Sequence, residues 1–166
     1  VGAFDGSLHA SVVTELEAAK KQGAKALRVV IDSSGGDHDV ISKIRKLLDD
    51  TRLPVTCVVS GKAVSSGLAF LSSPSCHVRL AREDSVLMVH YAFSETPIHA
   101  SVQSTKLYGR RLDVTNRAVW FWTAQRMKLS MDALFSLIDK NGGEVWFTAP
   151  EAMAAGLVQG LVKETQ

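Results

Sequence analysis

Residues 63–67 read Ala-Val-Ser-Ser-Gly, placing serine among small side chains between an apolar, β-branched run and a second apolar stretch. A serine at a sharp strand-to-helix bend projects its hydroxyl out of the turn, as in a nucleophile elbow. The free N–H groups and dipole of the helix start beyond it favour negative charge developing on an attacked carbonyl oxygen, so the fitting chemistry is acyl transfer. Taken alone, the segment has a plainer explanation: a tight turn in which Ser65 caps the next helix. Two further features shift the balance. Gly35 and Gly36 come after another strand-like run, where missing side chains let backbone N–H groups approach a ligand closely, although a turn needing positive φ would use the same residues. His90 ends the run Ser-Val-Leu-Met-Val-His, at the sheet edge where ligands of α/β folds bind; a hydrogen-bonded structural histidine is the alternative. A serine, a histidine acting as base and then acid, and an oxyanion site form the minimum set for covalent hydrolysis. An α/β-hydrolase places its histidine after its acid, and no histidine lies beyond His99, so that relative is excluded.

The elements that must position these groups alternate strand with helix. Residues 7–22 carry Leu8, Val12, Val13, Leu16 and Ala19 at helical spacing, with Gly23 as the stop. Residues 26–31 are a short apolar run of the kind buried on both faces of a sheet, which predicts a central strand. After the Asp-Ser-Ser-Gly-Gly turn, Val40, Ile41, Ile44, Leu47 and Leu48 return to a 3.6-residue period. Residues 55–60 predict a second strand, 61–67 a tight turn, and 76–79 and 85–90 two further strands. Residues 101–128 predict a long helix on which Trp120, Phe121 and Trp122 cannot share one face, leaving at least one of them exposed or in a subunit contact. Ser130 caps a helix over 131–139, closed by Asn141, Gly142 and Gly143. Residues 148–156 combine Thr, Pro, Glu and Gly as a capped helix, and 158–162 predict a last strand.

The chain is 166 residues long, 46% hydrophobic and 22% charged, a length and composition of one globular domain, residues 1–166. The net charge of +2 is too small to make nucleic acid the expected partner. No apolar run approaches the roughly 20 residues that span a bilayer, and residues 1–20 lack the zones of a signal peptide, so no membrane partner is expected. Only Cys57 and Cys76 occur, without metal-like spacing. They indicate neither a disulfide framework nor a zinc site, which implies a reducing, cytoplasmic setting without a cofactor.

Taken in order, Ser-Ser-Gly-Gly at 33–36, Gly-Lys-Ala-Val-Ser-Ser-Gly at 61–67, Leu-Met-Val-His at 87–90 and Phe-Thr-Ala-Pro-Glu-Ala-Met-Ala-Ala-Gly-Leu-Val at 147–158 resemble the proteolytic subunits of Clp protease over nearly the whole chain. The resemblance implies an α/β fold of the Clp protease/crotonase-like class: a spiral of ββα units with a long helix projecting as a handle. It implies a serine endopeptidase in which Ser65 is the nucleophile, His90 the base, and the Gly36 and Ser66 N–H groups the oxyanion donors. The family's third triad member, an aspartate, falls nearest Glu144, with Asp139 as the competing carboxylate; an exposed loop carboxylate explains Glu144 equally well. The implied partners are unfolded polypeptide as substrate, further copies of the chain in heptameric rings, and an AAA+ ATPase that feeds them. The start at Val-Gly-Ala-Phe-Asp-Gly resembles the family's first core strand.

The chain also departs from the family. Ser34 stands where proline is usual and Ser66 where methionine is frequent, and the residues after His90 read Tyr-Ala-Phe-Ser-Glu-Thr-Pro-Ile-His-Ala-Ser instead of a Gln-Pro, glycine-rich strand. These departures leave two other readings: a catalytically inactive structural or adaptor subunit, and a crotonase-type acyl-CoA enzyme, against which the serine and histidine motifs argue. Lys62 beside the serine motif suggests a Ser–Lys dyad, but its side chain should point away along the turn. His9, His38, His77 and His99 match no motif and read as surface or capping residues.

Overall fold

The computed structural model describes residues 2–92 and 101–163. Helix α1 (Gly6–Lys21) starts where the Asp5 carboxylate accepts from the Ser7 and Leu8 N–H groups, and ends before Gly23 at φ 68°. Strand β1 (Leu27–Ser33) leads through the glycine turn to α2 (His38–Thr51), capped by Asp37. Strand β2 (Val55–Val64) is ten residues long and passes through one residue, Ser65, into α3 (Ser66–Ser72). Strands β3 (Val78–Arg82) and β4 (Val86–His90) come next. Then come α4 (Val102–Arg126), α5 (Met131–Lys140), β5 (Glu144–Thr148), α6 (Ala149–Ala154) and β6 (Gly160–Val162).

The sheet runs β5-β4-β2-β3-β6, with β1 also on β2. Strand β2 is its hub. Residues 56–59 pair in parallel with β3, and Lys62, Ala63 and Val64 pair in parallel with β4, so one long strand serves two neighbours in succession. The change of partner coincides with a register irregularity on the β1 side between Ile31 and Ser33. There Asp32 accepts from the Lys62 N–H at 3.2 Å, and a Cβ on Gly61 would stand 2.7 Å from the Asp32 carboxylate. A bulge of this kind bends a strand, and the sheet curls around α3, all seven residues of which are buried. Ile41, Ile44 and Leu48 of α2, Trp120 and Ala124 of α4, and Leu134 and Ile138 of α5 complete the core.

The α/β layering and most elements match the sequence expectations, and the curled sheet with its helices has the implied fold. Several particulars differ. Strand β1 is not buried on both faces: only Ile31 and Ser33 are buried, the other positions alternate, and β2 is its one strand partner among the described residues. Residues 61–64 continue β2 instead of turning, because both flanks of that segment find strand partners. Strand β5, anticipated as loop, pairs antiparallel with β4 over five residue pairs. Near the start, Phe4 makes a single parallel bridge to Gly36 where a core strand was anticipated.

Cys57 and Cys76, expected as free thiols, form a disulfide with 5.5 Å between their Cα atoms; both are fully buried. It ties β2 to the turn ahead of β3, two segments brought side by side by the parallel pairing of Cys57 with Arg79, which spacing alone did not reveal. The ground for assigning a reducing compartment is thereby removed. No helix among the described residues is long and apolar enough to cross a membrane.

In α4 the buried positions begin at Asn116, so the first half of the helix carries none and stands away from the core. Trp120 is fully buried, whereas Phe121 is 44% exposed and meets Trp122 edge to face at 5.0 Å between centroids.

Candidate active site

The end of β2 makes the bend. Ser65 has φ 54° and ψ −122°, a strained conformation for a residue with a side chain, held by its N–H bonding the Met88 carbonyl at 3.0 Å. Its carbonyl accepts from Leu68 and Ala69 in the first turn of α3. Although Ser65 occupies the cap position, its hydroxyl makes no capping bond. Instead Ser65 Oγ stands 2.7 Å from His90 Nε2. The contact follows from topology: Val64 pairs with Met88 on adjacent parallel strands, and both chains emerge at the same edge, one into the bend and one at His90.

Burial lowers the proton affinity of the half-buried His90 below that of an ordinary histidine, while the charge of Glu144 acts in the opposite direction. A neutral imidazole can accept the serine proton. Glu144 is directly across from His90 in the antiparallel β4–β5 ladder, the first residue of the strand that sequence reading missed. Its Oε1 accepts from the Trp146 indole N–H at 2.9 Å, and both residues are exposed. Asp139 is placed elsewhere: it accepts from the Tyr91 hydroxyl at 2.9 Å.

The glycine turn lies against the bend. A Cβ on Gly35 would stand 2.8 Å from Ser65 Cβ, and one on Gly36 would stand 2.5 Å from the Phe4 carbonyl oxygen, so glycine is required at both. Their φ values, 107° and 140°, are also ones that other residues rarely adopt. The Phe4 N–H donates to the Gly35 carbonyl at 3.0 Å. Because a trans peptide is planar, the Gly36 N–H points the opposite way, off Phe4. The Ser66 N–H opens α3, where no carbonyl of the preceding turn is available to it. An open cleft of about 390 Å³ is lined by these groups, including Ser34, Gly36, Ser65, Ser66 and His90.

Two residues not singled out as functional also belong here. His38, read from sequence as a surface or capping residue, is half-buried in the same cleft with its Nε2 3.4 Å from Ser66 Oγ. Asn116 of α4 brackets the backbone just past His90, its Oδ1 accepting from the Ala92 N–H at 2.6 Å and its Nδ2 donating to the Ala92 carbonyl at 3.3 Å. Its only sequence signal was a polar residue on the inward stripe of α4. His77 is structural, its Nδ1 accepting from the Val55 N–H at 3.0 Å. Lys62 is exposed on β2. Most of the divergent stretch after His90, with His99, lies outside the described residues.

The family model described as Clp protease matches residues 2–165. Among curated proteins, the chain is 26% identical to the ATP-dependent Clp protease proteolytic subunit 1 of Chlamydia pneumoniae, over 86% of this chain and 73% of the relative. It is 26% identical to the protein of that name from Chlamydia abortus, over 80% and 68%. To the ATP-dependent Clp protease proteolytic subunit 2 of Treponema pallidum it is 21% identical, over 85% and 68%.

Proposed function

The chain belongs to the Clp protease family, and from that premise we propose that it is a serine endopeptidase subunit that hydrolyses unfolded polypeptide. The observation that carries this reading is the 2.7 Å approach of His90 Nε2 to the Oγ of a serine held at positive φ. Ser65 Oγ attacks the peptide carbonyl as its proton passes to His90 Nε2. The Gly36 and Ser66 N–H groups bind the oxyanion, and Glu144 stabilises the imidazolium. His90 then protonates the leaving amine. A water molecule, deprotonated by the same imidazole, releases the acyl group as a carboxylic acid and restores Ser65. Copies of the chain assemble in rings, heptameric by family precedent, that enclose the sites and receive polypeptide from an AAA+ ATPase.

Labelling the native protein with a fluorophosphonate and locating the adduct by mass spectrometry tests this reading. Modification at Ser65, abolished in Ser65→Ala and strongly slowed in His90→Ala, is the expected result. A native assembly that is not modified at Ser65 would overturn it. That outcome favours a non-catalytic subunit, a reading to which the engagement of Glu144 by Trp146 lends some support.

A further inference from the structure

The Gly36 peptides are held from two sides. On one side Phe4 donates to the Gly35 carbonyl and accepts from the Asp37 N–H at 2.8 Å. On the other, the Gly36 carbonyl accepts from Ser66 Oγ at 2.6 Å. Glycine at this position has no side chain to restrain it and is the most conformationally free of residues, so these bonds fix the direction of its N–H. The Ser66 hydroxyl is buried and has one proton, which the short contact assigns to the Gly36 carbonyl. Its lone pairs are left for His38 Nε2 at 3.4 Å, and that nitrogen must therefore carry hydrogen. A Ser66 hydroxyl that has spent its proton in this way is not a second nucleophile awaiting a base.

We infer that His38 and the Ser66 hydroxyl are a positioning pair, a chain running His38 Nε2–H to Ser66 Oγ–H to the Gly36 carbonyl that aims the Gly36 N–H at the reacting carbonyl oxygen. The inference rests on Ser65 being the nucleophile. His38 opens α2 beside Asp37, whose N–H is itself bonded to Phe4, so the imidazole is anchored to the loop it restrains. Burial and the neighbouring His90 keep His38 toward the neutral form, against the pull of Asp37 and Asp39. A neutral donor suits this task, since it orders the loop without competing for the oxyanion.

The test is the saturation kinetics of fluorophosphonate labelling in the assembled protein, which separate the maximal rate from the half-saturating concentration. His38→Ala and Ser66→Ala should each lower the maximal rate about tenfold, less than loss of a direct oxyanion donor, with the half-saturating concentration unchanged. The double variant should lose no more than Ser66→Ala alone. His38→Gln, whose side-chain amide N–H reaches about where Nε2–H stands, should recover most of the rate. Ser66→Ala removes one oxygen and His38 is half-exposed, so each variant keeps the fold. Unchanged maximal rates, additive losses, or a glutamine variant as slow as the alanine one would overturn the positioning role while Ser65 labelling in the parent chain leaves the protease reading intact. A parent chain unlabelled at Ser65 would remove both.

Discussion

At the residue scale the site depends on which groups hold which protons. His90 must be neutral to accept from Ser65, and burial lowers its proton affinity while Glu144 raises it. Activity should therefore fall as pH drops through a value below the ordinary histidine range. Glu144→Gln removes the opposing charge, so the acidic limb of the kcat/KM profile should move to still lower pH. The same change withdraws stabilisation of the imidazolium, and kcat should fall about 10- to 100-fold, less than for a fully buried acid because Glu144 is exposed. An acidic limb that stays in place would show that Glu144 does not act on His90. Asp139→Asn should leave that limb unchanged, since its partner is Tyr91. The glycines make a second prediction. In Gly35→Ala the new Cβ meets Ser65 Cβ and a φ of 107° is retained only under strain, which costs about 1–3 kcal/mol in urea unfolding and slows Ser65 labelling.

Among the elements, β2 leads into Ser65 and β4 ends at His90, the proposed nucleophile and base, and α4 steadies the backbone that leaves β4. Asn116 is buried; its Oδ1 accepts from the Ala92 N–H, two residues beyond His90, and its Nδ2 donates to both the Leu112 and the Ala92 carbonyls. Asn116→Ala leaves the half-buried Ala92 groups without that partner, at a cost of about 1–3 kcal/mol. Hydrogen exchange should quicken at Ala92 while the β2–β4 ladder keeps its protection; an unchanged Ala92 amide would show that another group holds this backbone. The end of α3 is secured in a related way. Arg126 donates to the Ser72 carbonyl at 3.0 Å and the Ser73 carbonyl at 3.3 Å, satisfying carbonyls that the last helical turn leaves open.

For the whole molecule, two predictions concern how the chain is held together and how copies meet. The buried Cys57–Cys76 bond means that iodoacetamide in denaturant adds nothing without reductant and two carbamidomethyl groups with it. Loss of the bond, closing a loop of 19 residues, should lower stability by about 3 kcal/mol. On α4, Leu107, Val114 and Phe121 are exposed at seven-residue intervals, which places them on one stripe of the helix. If that stripe joins subunits, Leu107→Glu with Val114→Glu should reduce the mass seen by light scattering and leave circular dichroism unchanged. Legibility of the fold and site tracked the range of the interactions. Helix caps such as Thr148 with Glu151 and Ser130 at the start of α5, the apolar period of α2, and the serine and histidine motifs depend on neighbours in sequence, and could be read there. Strand β5, the exposure of β1, the Cys57–Cys76 bond and the entry of His38 into the cleft depend on residues far along the chain. The amino-acid sequence by itself offered the candidate serine and histidine and most of the strands and helices around them, but not the strand that carries Glu144. Tertiary structure alone decided that Glu144 faces His90 and that Ser66 grips Gly36, because cross-strand register and two-sided clamping of a peptide arise only when separate segments meet.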